Sequence, residues 1–256
     1  MPRKLGQHFL IRDSILETLA LAACGEHTPR VVEVGPGRGA LTRHLLPHTD
    51  EVHAIEVDAA LVEYLRTKFA SEPKLHVHEC DVLTADLTQW GPAVVTGNLP
   101  YYITSPIIEQ FLSLGQGFQR AVFLMQSEVA ERILAHPGTR DYGYLTVCVQ
   151  LLCEVELVCK APRSAFAPPP NVDSAAVRFV RRNDAPGDIA DLRKLVSRSF
   201  AHKRKTLRNN LRPFYGEALD KLPEAGMRAE QLTTRQFIEL KRTLDSAERR
   251  IGLFVH

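Results

Sequence analysis

Asn98-Leu99-Pro100-Tyr101 carries the groups needed for chemistry on an exocyclic amine. The N6 lone pair of adenine is delocalised into the ring and attacks poorly. Two acceptors placed at its N–H groups can rehybridise the nitrogen and align it with an electrophilic methyl. The Asn98 side-chain oxygen can be one acceptor and the Leu99 carbonyl the other. Pro100 stiffens the turn, and Tyr101 offers a face on which an extruded base can stack. No general base of raised pKa is needed, because a proton leaves readily once the nitrogen is alkylated. The gain is mainly proximity and orientation. Asn and Pro are also common in ordinary turns; the complete string at a strand end favours the chemical reading.

A second constellation could hold the methyl donor. The run Arg30 to Val34 leads into Gly35-Pro36-Gly37-Arg38-Gly39, with a helix pattern behind it. Glycines there permit a tight turn and let a ligand approach backbone at a helix N-terminus. Glu56 ends the next strand, 21 residues after Gly35, a spacing that suits a carboxylate on ribose hydroxyls. Asp81 follows the third strand, where it could accept from an adenine amino group. A dinucleotide site prefers G-x-G-x-x-G, whereas this loop reads G-x-G-x-G and has Glu33 just before it. Acidic neighbours suit the cationic sulfonium of S-adenosylmethionine better than a pyrophosphate. Pyrimidine C5 methylation needs a thiol nucleophile, commonly beside a proline. None of the five cysteines adjoins one.

The elements that must position these groups follow a β-α repeat. Strands are expected at Arg30–Val34, Glu51–Val57, Lys74–His78, Ala93–Thr96 and Ala121–Met125. A Ser14–Glu17 capping box is expected to open a helix through Ala23. Further helices fill the segment before Pro47, Ala59–Ala70, Ser105–Leu114 and Ser127–Ala135. This pattern predicts an α/β fold with a parallel sheet covered on both faces. Val155–Val158 and Ala175–Val180 flank a loop too proline-rich for a crossover helix, so they should be antiparallel. After the linker Asn183-Asp184-Ala185-Pro186-Gly187 only helical patterns remain. They cover Ile189–His202, Arg204–Leu211, Glu217–Leu222 and Thr234–Glu248. The expected division is residues 1–184, cofactor-binding and catalytic, and residues 185–256, helical.

Composition excludes disorder. The 256 residues are 45% hydrophobic and 24% charged, with a net charge of +2. The longest apolar run, Tyr144–Cys153, is too short to span a bilayer. No cysteine pair is spaced C-x-x-C, so no metal site is expected. The odd cysteine count and the lack of an export signal predict a cytoplasmic protein, and a monomer is expected. The small net charge hides a strong asymmetry. Residues 193–212 hold Arg193, Lys194, Arg198, Lys203, Arg204, Lys205, Arg208 and Arg212 and no acid, a charge of +8. Arg204, Arg208 and Arg212 would share a face of a continuous helix. Such a face suits RNA phosphate.

These strings together resemble the ribosomal RNA adenine dimethyltransferase family. The resemblance rests on Lys4–Leu10, Glu33–Gly37, Asn98–Tyr101 and Phe166–Ala175, and it spans nearly the whole chain. It implies a Rossmann-like S-adenosylmethionine-dependent methyltransferase sheet, mostly parallel with one antiparallel strand, and a small all-helical C-terminal domain. It implies dimethylation of N6 of two adjacent adenosines in the 3′-terminal hairpin of 16S rRNA, within the immature 30S subunit. By position, it implies that His8 and Leu10 close over the cofactor. Gly35 then lies beside the methionine moiety, with Gly37 also cofactor-binding, Glu56 holds the ribose and Asp81 holds the cofactor adenine. Asn98 sits between cofactor and target, with Tyr101 and Phe166 stacking on the target base. RNA contact falls to Arg198, Lys203, Arg204, Lys205, Arg208 and Arg212. His8 and Tyr102 stand where the family commonly has Asn. The rival readings are a 23S rRNA dimethyltransferase, a non-catalytic small-subunit assembly factor and a dinucleotide oxidoreductase.

Overall fold

The computed structural model describes residues 8–114, 117–186 and 189–252. Contacts divide the chain into two compact units. The first is residues 1–130 with 154–182, and the second is residues 131–153 with 183–256. The sequence reading divides the chain once, at 184. In the structure the segment 131–153 instead belongs with the helical unit.

The first unit is built on seven strands. These are β2 (Thr28–Val34), β3 (Thr49–Glu56), β4 (Leu75–Glu79), β5 (Ala93–Asn98), β6 (Phe118–Gln126), β7 (Cys153–Ala161) and β9 (Ser174–Arg181). Their order is β4-β3-β2-β5-β6-β9-β7. The pairs β3–β4, β2–β3, β2–β5 and β5–β6 are parallel, and β9 runs antiparallel to β6. A separate two-residue strand, β1 (Phe9–Leu10), pairs antiparallel with β8 (Phe166–Ala167). Nothing in a two-residue strand gives a periodic signal, which is why this pairing is invisible in the sequence.

Strand alternation sends neighbouring side chains to opposite faces. Val122 and Leu124 of β6 join a core made with Leu16, Leu19 and Ala23 of α1 (Asp13–Cys24). Phe123, between them, packs edge-on against Phe111 of α4 (Thr104–Ser113), with Phe118 and Phe179 nearby. The expected capping box at Ser14 does not form. The first helix starts at Asp13, and its N-cap residue, Arg12, makes no side-chain cap bond.

In the helical unit, α6 (Tyr144–Leu152) is the apolar run that carries no helix assignment from the sequence. Its residues Thr146 to Val149, with Leu151 and Leu152, are buried. A helix buried on every side shows no polar stripe for periodicity to reveal. Of the expected helices, α7 (Ala190–Ser199) is shorter at both ends, α8 (Leu207–Tyr215) starts three residues later and ends four later, and α9 (Thr234–Gly252) runs four residues further. The segment expected as a helix over Glu217–Leu222 is a 3-10 turn, Gly216–Lys221.

The junction of β2 and β5 leaves no room for a side chain at Gly97. A Cβ there would lie 2.3 Å from the Val34 carbonyl oxygen, which is backbone and cannot yield. We expect Gly97→Ala to cost about 2 kcal/mol or more by forcing the two strands apart. The corresponding fall in thermal midpoint, roughly 4–8 °C, is measurable by calorimetry. An unchanged midpoint would show that the strands part freely.

Candidate active site

Parallel pairing aligns the carboxyl ends of β2, β3 and β5. Val34 sits opposite Ile55, and Glu33 opposite both Ala54 and Thr96. The turn after β2, the acid at the end of β3 and the Asn at the end of β5 therefore meet at one sheet edge. One cavity there is lined by His8, Leu10, Gly35, Gly37, Glu56, Asn98, Leu99 and Tyr101. The sequence named these eight as site residues; Phe9, Leu16, Leu19, Arg38, Ala40 and Leu41, which also line it, carried no such signal.

The glycine turn is tied to the sheet at two points. The Gly35 N–H donates to the Ile55 carbonyl at 2.9 Å, and the Gly37 N–H to Glu56 Oε2 at 3.2 Å. Gly37 has φ +57°, and a Cβ on it would lie 2.8 Å from the Phe9 ring. The turn thus requires glycine both for its backbone and for the aromatic ring lying on it. Glu56 Oε1 accepts from the Val57 and Asp58 amides at 2.9 and 3.0 Å.

Glu33 is a second buried acid beside this turn, 1% exposed. Burial pushes its carboxyl up to about 7. The Thr42 hydroxyl, donating at 2.6 Å, opposes this, and the nearby Glu56 charge adds to it. Two neighbouring buried acids favour a cationic ligand. Together with a glycine cradle that a Cβ would fill, this donor set fits the sulfonium nucleoside expected from the sequence.

At the end of β5 the Asn98 Nδ2 donates to the His8 carbonyl at 2.9 Å. Its Oδ1 is buried and has no hydrogen-bond partner among the described residues. The Leu99 N–H donates to Leu124 at 2.9 Å, which pins the turn to β6. The Tyr101 hydroxyl lies 2.8 Å from Ser174 Oγ, and burial raises its pKa. Ser174 is fully buried at the start of β9. Before it, Asp173 accepts from the Arg163 N–H, and its carbonyl accepts from the Ser127 N–H. Ser174 and Thr42 were missed as site residues. Ser174 lies inside the proline-rich string but has no pattern of its own, and nothing in the sequence links Thr42 to Glu33.

Two expected residues stand elsewhere. Asp81 is exposed, does not line the cavity, and its Oδ1 accepts from the Leu83 N–H at 2.9 Å. Phe166 is 2% exposed and packs in the core with Leu10 and Leu16. Its pairing with Leu10 across β1–β8 draws it inward, so it fills the core rather than facing the cavity. Of the first motif, residues 4–7 lie outside the described residues.

The expected arginine face on the helical unit is also corrected. Arg204 precedes α8, so it does not share a helix with Arg208 and Arg212. Asn210 explains the break. Its Nδ2 donates to the carbonyls of Ser199 and His202, at 2.7 and 3.1 Å, and holds residues 200–206 as a tight connection. Arg208 pairs with Asp220 at 3.0 Å. The Arg198 guanidinium lies 3.9 Å over the Phe214 ring, and Lys203 donates to the Arg140 carbonyl at 2.7 Å. Arg204, Lys205 and Arg212 are exposed, with no ion pair among the described residues.

A mostly parallel sheet with a glycine turn, an acid and an Asn-Leu-Pro-Tyr string at successive strand ends defines a Rossmann-like methyltransferase of the S-adenosylmethionine-dependent class. Residues 2–246 match the family described as ribosomal RNA adenine dimethylase, and the chain belongs to that family. It is similar to the ribosomal RNA small subunit methyltransferase A of Chromobacterium violaceum, with 39% identity over 94% of each chain. A dimethyladenosine transferase from Plasmodium falciparum superposes with a TM-score of 0.84, at 28% identity over 96% of this chain and 98% of that one. The 23S rRNA methyltransferase ErmE superposes with a TM-score of 0.73, at 30% identity over 93% and 99%.

The Glu33 geometry gives a pH test. A bound cation favours the Glu33 anion, and the ligand-free carboxyl titrates near 7. Affinity for S-adenosylmethionine should therefore rise about tenfold from pH 6 to pH 8, with proton release on binding near pH 6.5. Calorimetry in two buffers of different ionisation enthalpy measures both. Glu33→Gln should flatten the profile, and a wild-type profile that is already flat would refute the assignment.

Proposed function

We propose that this enzyme transfers two methyl groups to N6 of each of two adjacent adenosines in the 3′-terminal hairpin of 16S rRNA, acting on the immature small subunit. The observation that carries the reading is the buried, unpartnered Asn98 Oδ1 beside the glycine-turn cavity. A buried acceptor left empty costs stability, and an adenine amino group would satisfy it. The relatives are named for the small subunit, and the exposed Arg204, Lys205 and Arg212 of the helical unit support contact with RNA phosphate.

S-adenosylmethionine supplies the methyl as a sulfonium electrophile. Glu56 is assigned to the ribose, and its contact with the Gly37 N–H keeps the glycine turn in place. Glu33 balances positive charge at the turn. Asn98 Oδ1 accepts one N6–H, and the Leu99 carbonyl is assigned the other, so that the nitrogen lone pair points at the methyl. Tyr101, anchored by Ser174, offers its ring to the base. Catalysis on this scheme is orientation plus acceptor placement. Asp81 and Phe166 enter only if the bound state turns Asp81 toward the cofactor and uncovers Phe166. Residues 185–256 are assigned to subunit binding, through Arg204, Lys205 and Arg212 above all, with Arg198, Lys203 and Arg208 behind them. The enzyme is proposed to act as a cytoplasmic monomer.

Incubation with labelled cofactor and undermethylated subunits, followed by mass spectrometry of the RNA, tests the reaction. Dimethyladenosine in the small subunit is expected, and Asn98→Ala should lower kcat by roughly 100-fold or more. Label confined to large subunits, or single methyls alone, would overturn the assignment. Normal binding of immature subunits by Asn98→Ala would separate an assembly role from catalysis.

Replacing Arg204, Lys205 and Arg212 together by Ala should weaken subunit binding and flatten its salt dependence. Each lost phosphate contact lowers the slope of log K against log salt by somewhat less than 1. An unchanged slope would remove these three from the interface.

A further inference from the structure

We infer that His8 is a positioning residue for methyl transfer, fixing Asn98 through its backbone carbonyl and Tyr101 through its ring. The inference rests on the methyltransferase reading and adds a role that the expected cofactor contact does not contain.

The argument starts from the Asn98 amide. Its two orientations differ by exchange of a donor and an acceptor of nearly the same shape. Only one of them suits an N6 amine, which presents donors. A carbonyl oxygen can only accept, so the His8 carbonyl at 2.9 Å admits Nδ2 and rejects Oδ1. That contact selects the productive orientation and leaves Oδ1, which has no other partner among the described residues, for the target. Without it the amide could turn and offer the substrate donor against donor.

Residue 8 is itself held from three directions. Its Nδ1 lies 2.8 Å from the Pro168 carbonyl, so Nδ1 carries the proton and donates. The next two residues pair with Ala167 and Phe166, and the Ile11 N–H donates to the Ala165 carbonyl at 2.8 Å. The imidazole stacks on Tyr101, with centroids 5.8 Å apart and planes at 26°. The far end of that tyrosine is fixed by the buried Ser174. One residue of the N-terminal segment thus sets both the acceptor and the stacking ring. The short β1–β8 pair, which adds little to the core by length, serves to hold that residue in place.

The carbonyl belongs to the backbone, so a side-chain change at position 8 acts by moving it. His8→Ala removes the donor to Pro168, whereas His8→Asn keeps an N–H that can reach the same carbonyl. We expect His8→Ala to lower kcat at saturating S-adenosylmethionine about tenfold or more. Any loss of cofactor affinity, measured separately as Kd by calorimetry, does not enter a kcat read at saturation, and His8→Asn should recover most of the lost kcat. Both variants are assayed on undermethylated small subunits after their thermal midpoints are compared with wild type. Weaker cofactor binding with unchanged saturated kcat would make His8 a cofactor ligand only and overturn the inference, as would failure of Asn to rescue. If His8→Ala fails to fold, replacing Phe9 by its α-hydroxy acid analogue weakens the residue-8 carbonyl as an acceptor with every side chain kept. An unchanged kcat in that protein also overturns the inference. A wild-type enzyme that transfers no methyl would sink the methyltransferase reading and this inference together; the variant pattern alone sinks only the inference.

Discussion

Three strand ends in parallel register hold the site together. Because β2 pairs with β3 on one side and β5 on the other, the glycine turn, Glu56 and Asn98 are carried to a common edge. Backbone hydrogen bonds fix that spacing, and the absence of a side chain at Gly97 lets β5 approach β2 closely enough to complete it. Each functional group is then secured by a second contact from another element. Glu56 holds Gly37, Leu124 holds Leu99, and Ser174 holds Tyr101. A site whose chemistry is mainly orientation needs this redundancy, since a displacement of about 1 Å can cost on the order of 100-fold in rate.

The electrostatics of the pocket follow from the same packing. Glu33 and Glu56 come from adjacent strands and are buried together near a glycine turn. Water cannot screen them, so one is kept partly protonated and the pocket favours a positive ligand. The helical unit shows the opposite arrangement. Its cations are mostly exposed, and several are neutralised or packed by residues distant in sequence, such as Asp220 and Phe214. A linear count of +8 in residues 193–212 therefore overstates the charge left exposed and unpaired on this unit.

Much of the site was legible because chemistry and spacing coincide there. Glycines before a helix, an acid 21 residues on and an Asn-Leu-Pro-Tyr string each mark a strand end, and strand ends of a parallel sheet converge. Phe166 and Asp81 were harder to place. An aromatic before three prolines reads equally well as a stacking platform or a core plug, and only its pairing with Leu10 puts it in the core. Asp81 binds its own turn, a local bond that a strand-end position does not foretell. The arginine spacing of four was real, but Asn210 ends the preceding helix turn and removes Arg204 from the shared face.

By itself the sequence determined the β-α order, the glycine turn, the acids beside it, the position of the Asn-Leu-Pro-Tyr string and family membership. These depend on local patterns and on residue types whose chemistry is intrinsic. Tertiary structure decided which face Phe166 takes, which cations stay free, that residues 131–153 join the helical unit, and that the His8 carbonyl orients Asn98. Those outcomes depend on contacts between residues up to 160 positions apart, as in the bond from His8 to Pro168. Backbone carbonyls and buried hydroxyls make such contacts, and they have no distinguishing letter in a sequence.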